Sequence, residues 1–84
     1  MVRFTKHALE KLEILKRHGF QISRMAVLDT VAHPDIVDYS HLPLKIAQRP
    51  LDKHHVLRVV YREVSGIKLI ITFYPGRKTQ YEKG

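Results

Sequence analysis

The chain has 84 residues, with 15 Lys+Arg against 8 Asp+Glu for a formal net charge of +7, 44% hydrophobic residues and no cysteine. That length and apolar share fit one α+β globular domain over residues 1–84, and the absent cysteines exclude disulfides, thiolate nucleophiles and Cys-held zinc. No apolar run reaches the roughly 18 residues of a membrane span, and Met1–Thr5 lack the apolar stretch of a signal peptide. A cytoplasmic protein is expected, and the charge predicts an anionic macromolecular partner.

Val2–Phe4 reads as a short opening strand. Thr5 then caps a helix, with Phe4 and Leu9 at the positions of a hydrophobic staple. Ala8, Leu9, Leu12 and Leu15 recur at helical spacing while Glu10, Glu13, Lys16 and Arg17 face outward, and Gly19 ends the helix. Ser23 caps a second helix whose expected buried stripe is Met25, Leu28, Val31 and Ala32, and Pro34 stops it. Two short antiparallel helices are predicted.

From Asp35 the period changes. Ile36–Tyr39 and Leu42–Ala47 read as short strands, with Pro43 and Pro50 confining them to an edge or to strand ends. Val56–Arg62 and Ile67–Tyr74 read as strong strands joined by a Ser65-Gly66 turn. A two-residue loop sets Glu63 opposite Lys68, Tyr61 opposite Ile70, Val60 opposite Ile71 and Arg58 opposite Phe73. Leu57, Val59, Tyr61 and Ile70 then line one face, and Arg58, Val60, Arg62, Leu69, Ile71 and Phe73 the other. Both faces are partly apolar, so one covers the helices and the other is either covered or functional. The fold predicted is two N-terminal helices on an antiparallel sheet of three to four strands.

Carboxylate pairs, glycine-rich phosphate loops and nucleophile elbows are absent. Six histidines raise the question of metal. His54 and His55 are adjacent, so on a strand they point to opposite faces, and His7 and His18 are three turns apart on one helix. No metal site and no cofactor are expected. The basic residues carry more. Lys45 and Arg49 share a face of what reads as an edge strand, Arg58 and Arg62 share a face of the hairpin, and Arg77 and Lys78 follow the last strand. Arg58 lies among Val56, Val59 and Val60, where it either meets a ligand or covers an open sheet face with its stem. Pro75-Gly76 reads as a stiff turn before Arg77, Lys78 and Tyr81, cations followed by an aromatic that either stacks on a base or packs on the body of the domain.

The segment Leu57-Arg58-Val59-Val60-Tyr61-Arg62, continued by Ile70–Arg77 and Tyr81, resembles the C-terminal half of the RelE/ParE-like toxin superfamily. The opening Phe4-Thr5-Lys6-His7-Ala8-Leu9-Glu10, with Gly19 and Pro34, is similar to a BrnT-related subgroup. The resemblance implies a toxin of a type II toxin–antitoxin system that cleaves mRNA without metal, on the ribosome in the RelE branch. It implies Arg58 and Arg77 as phosphate clamps and Tyr81 as base or base-stacking group, hence as the catalytic residues. Lys45, Arg49, Arg62 and Lys78 would bind nucleic acid, and His7 matches the subgroup's helix histidine. ParE members keep the fold but inhibit a protein target, so a non-catalytic binding module stands as the alternative, with a basic nucleic-acid-binding domain behind it. RNA and an antitoxin are the implied partners, and an apolar second sheet face also fits a homodimer.

Overall fold

The computed structural model describes residues 1–81. The chain runs β1 (Val2–Phe4), α1 (Lys6–Arg17), α2 (Arg24–Ala32), β2 (Ile36–His41), β3 (Leu44–Pro50), β4 (His55–Val64), β5 (Ile67–Arg77) and α3 (Lys78–Tyr81). The α+β class stands, but the sheet has five strands in the order β1-β5-β4-β3-β2, and a third short helix follows it. It is a mixed sheet: β1 pairs parallel with β5, while every other pairing is antiparallel. The opening strand is long enough to matter because Lys68 N–H donates to Met1 O and Thr5 N–H to Ile70 O, at 2.9 and 3.1 Å. β3 is therefore interior, between β2 and β4, rather than an edge.

Both N-caps form as the local chemistry demands. Thr5 Oγ1 accepts the Ala8 N–H at 3.2 Å and Ser23 Oγ the Ala26 N–H at 3.0 Å. α1 lies against β1 and β5, and α2 against β3 and β4, so the helices share a sheet face. The buried side of α2 is Val27, Thr30 and Val31, whereas Met25 is 64% exposed, a rotation from the expected stripe. Thr30 is tolerated inside because its hydroxyl donates to Ala26 O at 2.7 Å. The core under the helices joins Ala8, Ile22, Val27 and Val31 to Ala47, Leu57, Val59, Tyr61, Ile70 and Phe73.

The hairpin turn forms at Ser65-Gly66, both with positive φ (50° and 80°), with Val64 paired to Ile67 and Glu63 to Lys68. Tyr61 pairs with Ile70 as the loop requires, and then the register shifts: Val60 pairs with Thr72, Val59 with Phe73 and Arg58 with Tyr74. Ile71 is the extra residue of a β-bulge. Its carbonyl is taken by the Thr5 hydroxyl at 3.2 Å, so the cap of α1 also satisfies the interrupted ladder. The bulge transfers Phe73 from the face of Arg58 to the helix-covered core, where it is fully buried. Strand geometry continues through Pro75 and Gly76, the segment expected to turn, as far as Arg77.

Candidate functional site

Two arrangements of polar side chains stand at the end of the sheet where α3 begins. The first is on the face opposite α1 and α2. Arg58, Gln48 and Tyr74 are consecutive across β4, β3 and β5, because Gln48 pairs with Arg58 and Arg58 with Tyr74. Arg58 Nε donates to the Tyr74 hydroxyl at 3.0 Å, Nη1 to Gln48 Oε1 at 2.7 Å and Nη2 to Asp38 Oδ2 at 3.2 Å. The Tyr81 ring closes over the guanidinium, its centroid 4.2 Å from Cζ. Arg58 is 7% exposed and Gln48 3%. A buried cation is held here by a carboxylate, an amide, a hydroxyl and an aromatic face.

Gly76 makes that closure sterically feasible. A Cβ at this position would stand 2.5 Å from Tyr81 Cε2, so only glycine admits the ring. Gly76→Ala should therefore displace Tyr81 from Arg58 and cost about 1–3 kcal/mol, the range for overpacking. A double-mutant cycle by urea denaturation checks this: in a Tyr81→Ala background the Gly76 substitution should cost almost nothing. An equal cost in both backgrounds would contradict the packing.

The second arrangement is a cleft of about 460 Å³ lined by Lys53, His54, His55, Arg77, Lys78 and Thr79. Its cations come from the β3–β4 turn and from the junction of β5 and α3, which meet because His55 pairs with Arg77 and Lys78 N–H donates to His54 O at 3.0 Å. Asp52 organises the turn. Its Oδ1 accepts the N–H groups of His54 and His55, both at 2.8 Å, and its two oxygens lie 2.9 and 3.1 Å from His55 Nδ1. The His54 N–H bond first and the His55 ring second hold the Asp52 carboxyl below its ordinary range. Phe20 meets the His55 ring edge-on, centroids 5.4 Å apart at 85°. His54 belongs to the bend before β4 rather than to the strand, so it borders the same cleft as His55 instead of facing the opposite way.

The sequence-derived residues divide between these sites. Arg58 and Tyr81 meet. Arg77 is three residues beyond Arg58's partner Tyr74, so it projects from the other face and lines the cleft with Lys78. Arg62 shares the face of Arg58 but is exposed, four residues away. Lys45 donates to Glu63 Oε1 at 2.9 Å and lies 5.9 Å from the Tyr39 ring centroid, and Glu63 raises the Lys45 pKa. Arg49 borders a separate depression with Asp29, Thr30 and Leu57. His7 is exposed on the first turn of α1. Sequence reasoning missed Asp38, Gln48, Asp52, Lys53 and the joint placement of His54 and His55. The available signal was the Asp52-x-x-His55 spacing across a turn, which lets a side chain bond the backbone and the ring at once.

No family model, curated protein or solved structure matches this chain. Among the described residues no three His, Cys, Asp or Glu side chains gather where they could hold a metal ion, and no helix is long and apolar enough to cross a membrane.

Proposed function

We propose that this protein is a RelE/BrnT-like toxin module that binds RNA and cleaves it without a metal ion. The observation that carries the reading is the cleft, where Lys53, Arg77 and Lys78 and two imidazoles surround a space of about 460 Å³, room enough for a nucleotide phosphate and sugar. The carboxylate beside it, Asp52, is already engaged by His55 and by backbone N–H groups, which leaves the cations to meet phosphate. In this reading Arg77 is the phosphate clamp. Arg58, each of whose three nitrogens already donates to Tyr74, Gln48 or Asp38, holds the Tyr81 ring on the opposite face of the sheet and stands apart from the cleft.

The occupied state of Arg58 also favours a second reading, a non-catalytic module of the same fold that inhibits a macromolecule by binding. An acidic antitoxin segment is the partner class that matches the cleft in either case.

Binding of a short single-stranded RNA followed by fluorescence anisotropy tests the interface. If Lys53, Arg77 and Lys78 each neutralise one phosphate, the slope of log K against log salt should be roughly −2, at about −0.7 per contact. Arg77→Ala should reduce it by about 0.7. A slope near zero, or one unmoved by that substitution, would remove the cleft from the account.

A further inference from the structure

Resting on the RNA-cleavage reading, we propose that His55 is the general base of the cleft, Asp52 its positioning residue and His54 the general acid, acting on the 2′-hydroxyl and 5′-oxygen of one phosphodiester. The geometry begins with the tautomer. Both Asp52 oxygens are within hydrogen-bond reach of Nδ1, so in the neutral ring that nitrogen carries the proton and Nε2 has the lone pair. Asp52 is itself pinned by two backbone N–H groups, and Phe20 fixes the plane of the ring from the side.

The surroundings suit the charge of a phosphodiester. Arg77 stands directly across the ladder from His55, close enough for one bound group to touch both side chains. Lys78, anchored through its N–H to His54 O, ties the start of α3 to the histidine turn. Two cations therefore flank two imidazoles, the set needed to neutralise a phosphorane while a proton enters on one side and leaves on the other.

The step balances within the RNA and the protein. The 2′-oxygen attacks its own 3′-phosphorus and its proton passes to His55 Nε2. The new P–O2′ bond forms as the P–O5′ bond breaks, and the departing 5′-oxygen takes a proton from the protonated ring of His54. Arg77 and Lys78 hold the non-bridging oxygens. The products are a 2′,3′-cyclic phosphate and a 5′-hydroxyl, and no water is consumed. DNA, which lacks the 2′-hydroxyl, is bound and not cut.

The full chain incubated with a fluorophore-labelled RNA decamer in EDTA provides the test, with an all-DNA strand of the same sequence beside it. Wild type should cut only the RNA and leave cyclic phosphate ends. His55→Ala should slow cleavage by about 100-fold or more at unchanged KM, and added imidazole should restore part of the rate, a rescue that a misfolded variant could not show. Asp52→Asn, which keeps an acceptor for Nδ1, should retain more activity than Asp52→Ala. Full activity in His55→Ala together with its loss in Arg77→Ala would overturn the histidine assignment while leaving RNA cleavage in place. Wild type that cuts no RNA would overturn both.

Discussion

Arg58→Ala should lower the free energy of unfolding by about 2–4 kcal/mol. The substitution removes one guanidinium and orphans three acceptors, Gln48 Oε1, the Tyr74 hydroxyl and Asp38 Oδ2. It also removes the surface on which the Tyr81 ring packs. Breaking a fully buried ion pair costs about 3–5 kcal/mol. The Asp38 side chain is 30% exposed, so water reaches it and the expected loss is smaller. Arg58→Lys should recover little, because an ammonium cannot address three partners lying in one plane. Urea denaturation measures the change, and a loss below about 0.5 kcal/mol, the scale of a surface substitution, would mean that the guanidinium is solvated.

The same network sets an acid dependence. Asp38 is held at about 2, first by the Ser40 hydroxyl, then by the Ser40 N–H and more weakly by Arg58. Its folded pKa lies below its unfolded one, so this contribution is complete above about pH 4 and is lost as pH falls towards 2. Asp38→Asn should flatten stability over that window. Arg58→Ala should flatten it only in part, because Ser40 remains.

Phe73→Ala should cost about 3–5 kcal/mol, most of the stability of a small domain at the lower end of the usual 5–15 kcal/mol. Phe73 is fully buried and sits opposite Val59 beneath the helices. The adjacent Tyr74 faces the other way, half-buried beside Arg58. Thermal denaturation should therefore separate Phe73→Ala from Tyr74→Phe, which loses one hydrogen bond and about 1 kcal/mol. Comparable losses would contradict the placement of the bulge.

That contrast marks where local sequence signals stop. Thr5, Ser23 and Ser65-Gly66 announce caps and a turn through chemistry confined to a few neighbouring residues, and each forms as read. The bulge at Ile71 has no local mark, since Ile70, Ile71 and Thr72 suit an unbroken strand equally well. It forms where the Thr5 hydroxyl, 66 residues away, meets the displaced carbonyl. The shift in facing moves Phe73 inward and sets Tyr74 beside Arg58. The unusual arginine among valines was legible as a feature, but its three partners come from three other strands. Of the basic cleft, Arg77 and Lys78 were legible as charge at the end of the last strand. Its histidines were not, because strand alternation was extended one residue too early, to His54.

In the proposed function the cleft at the end of β5 acts on RNA. A single-turnover cleavage assay in EDTA, comparing wild type with Arg77→Ala on the same RNA, tests it most directly. Wild type should cut the RNA and the variant should be slower by about 100-fold or more, the effect of removing a donor that stabilises developing charge, with both proteins unfolding at the same urea concentration. Equal rates in the two proteins, or no cleavage by either, would contradict it.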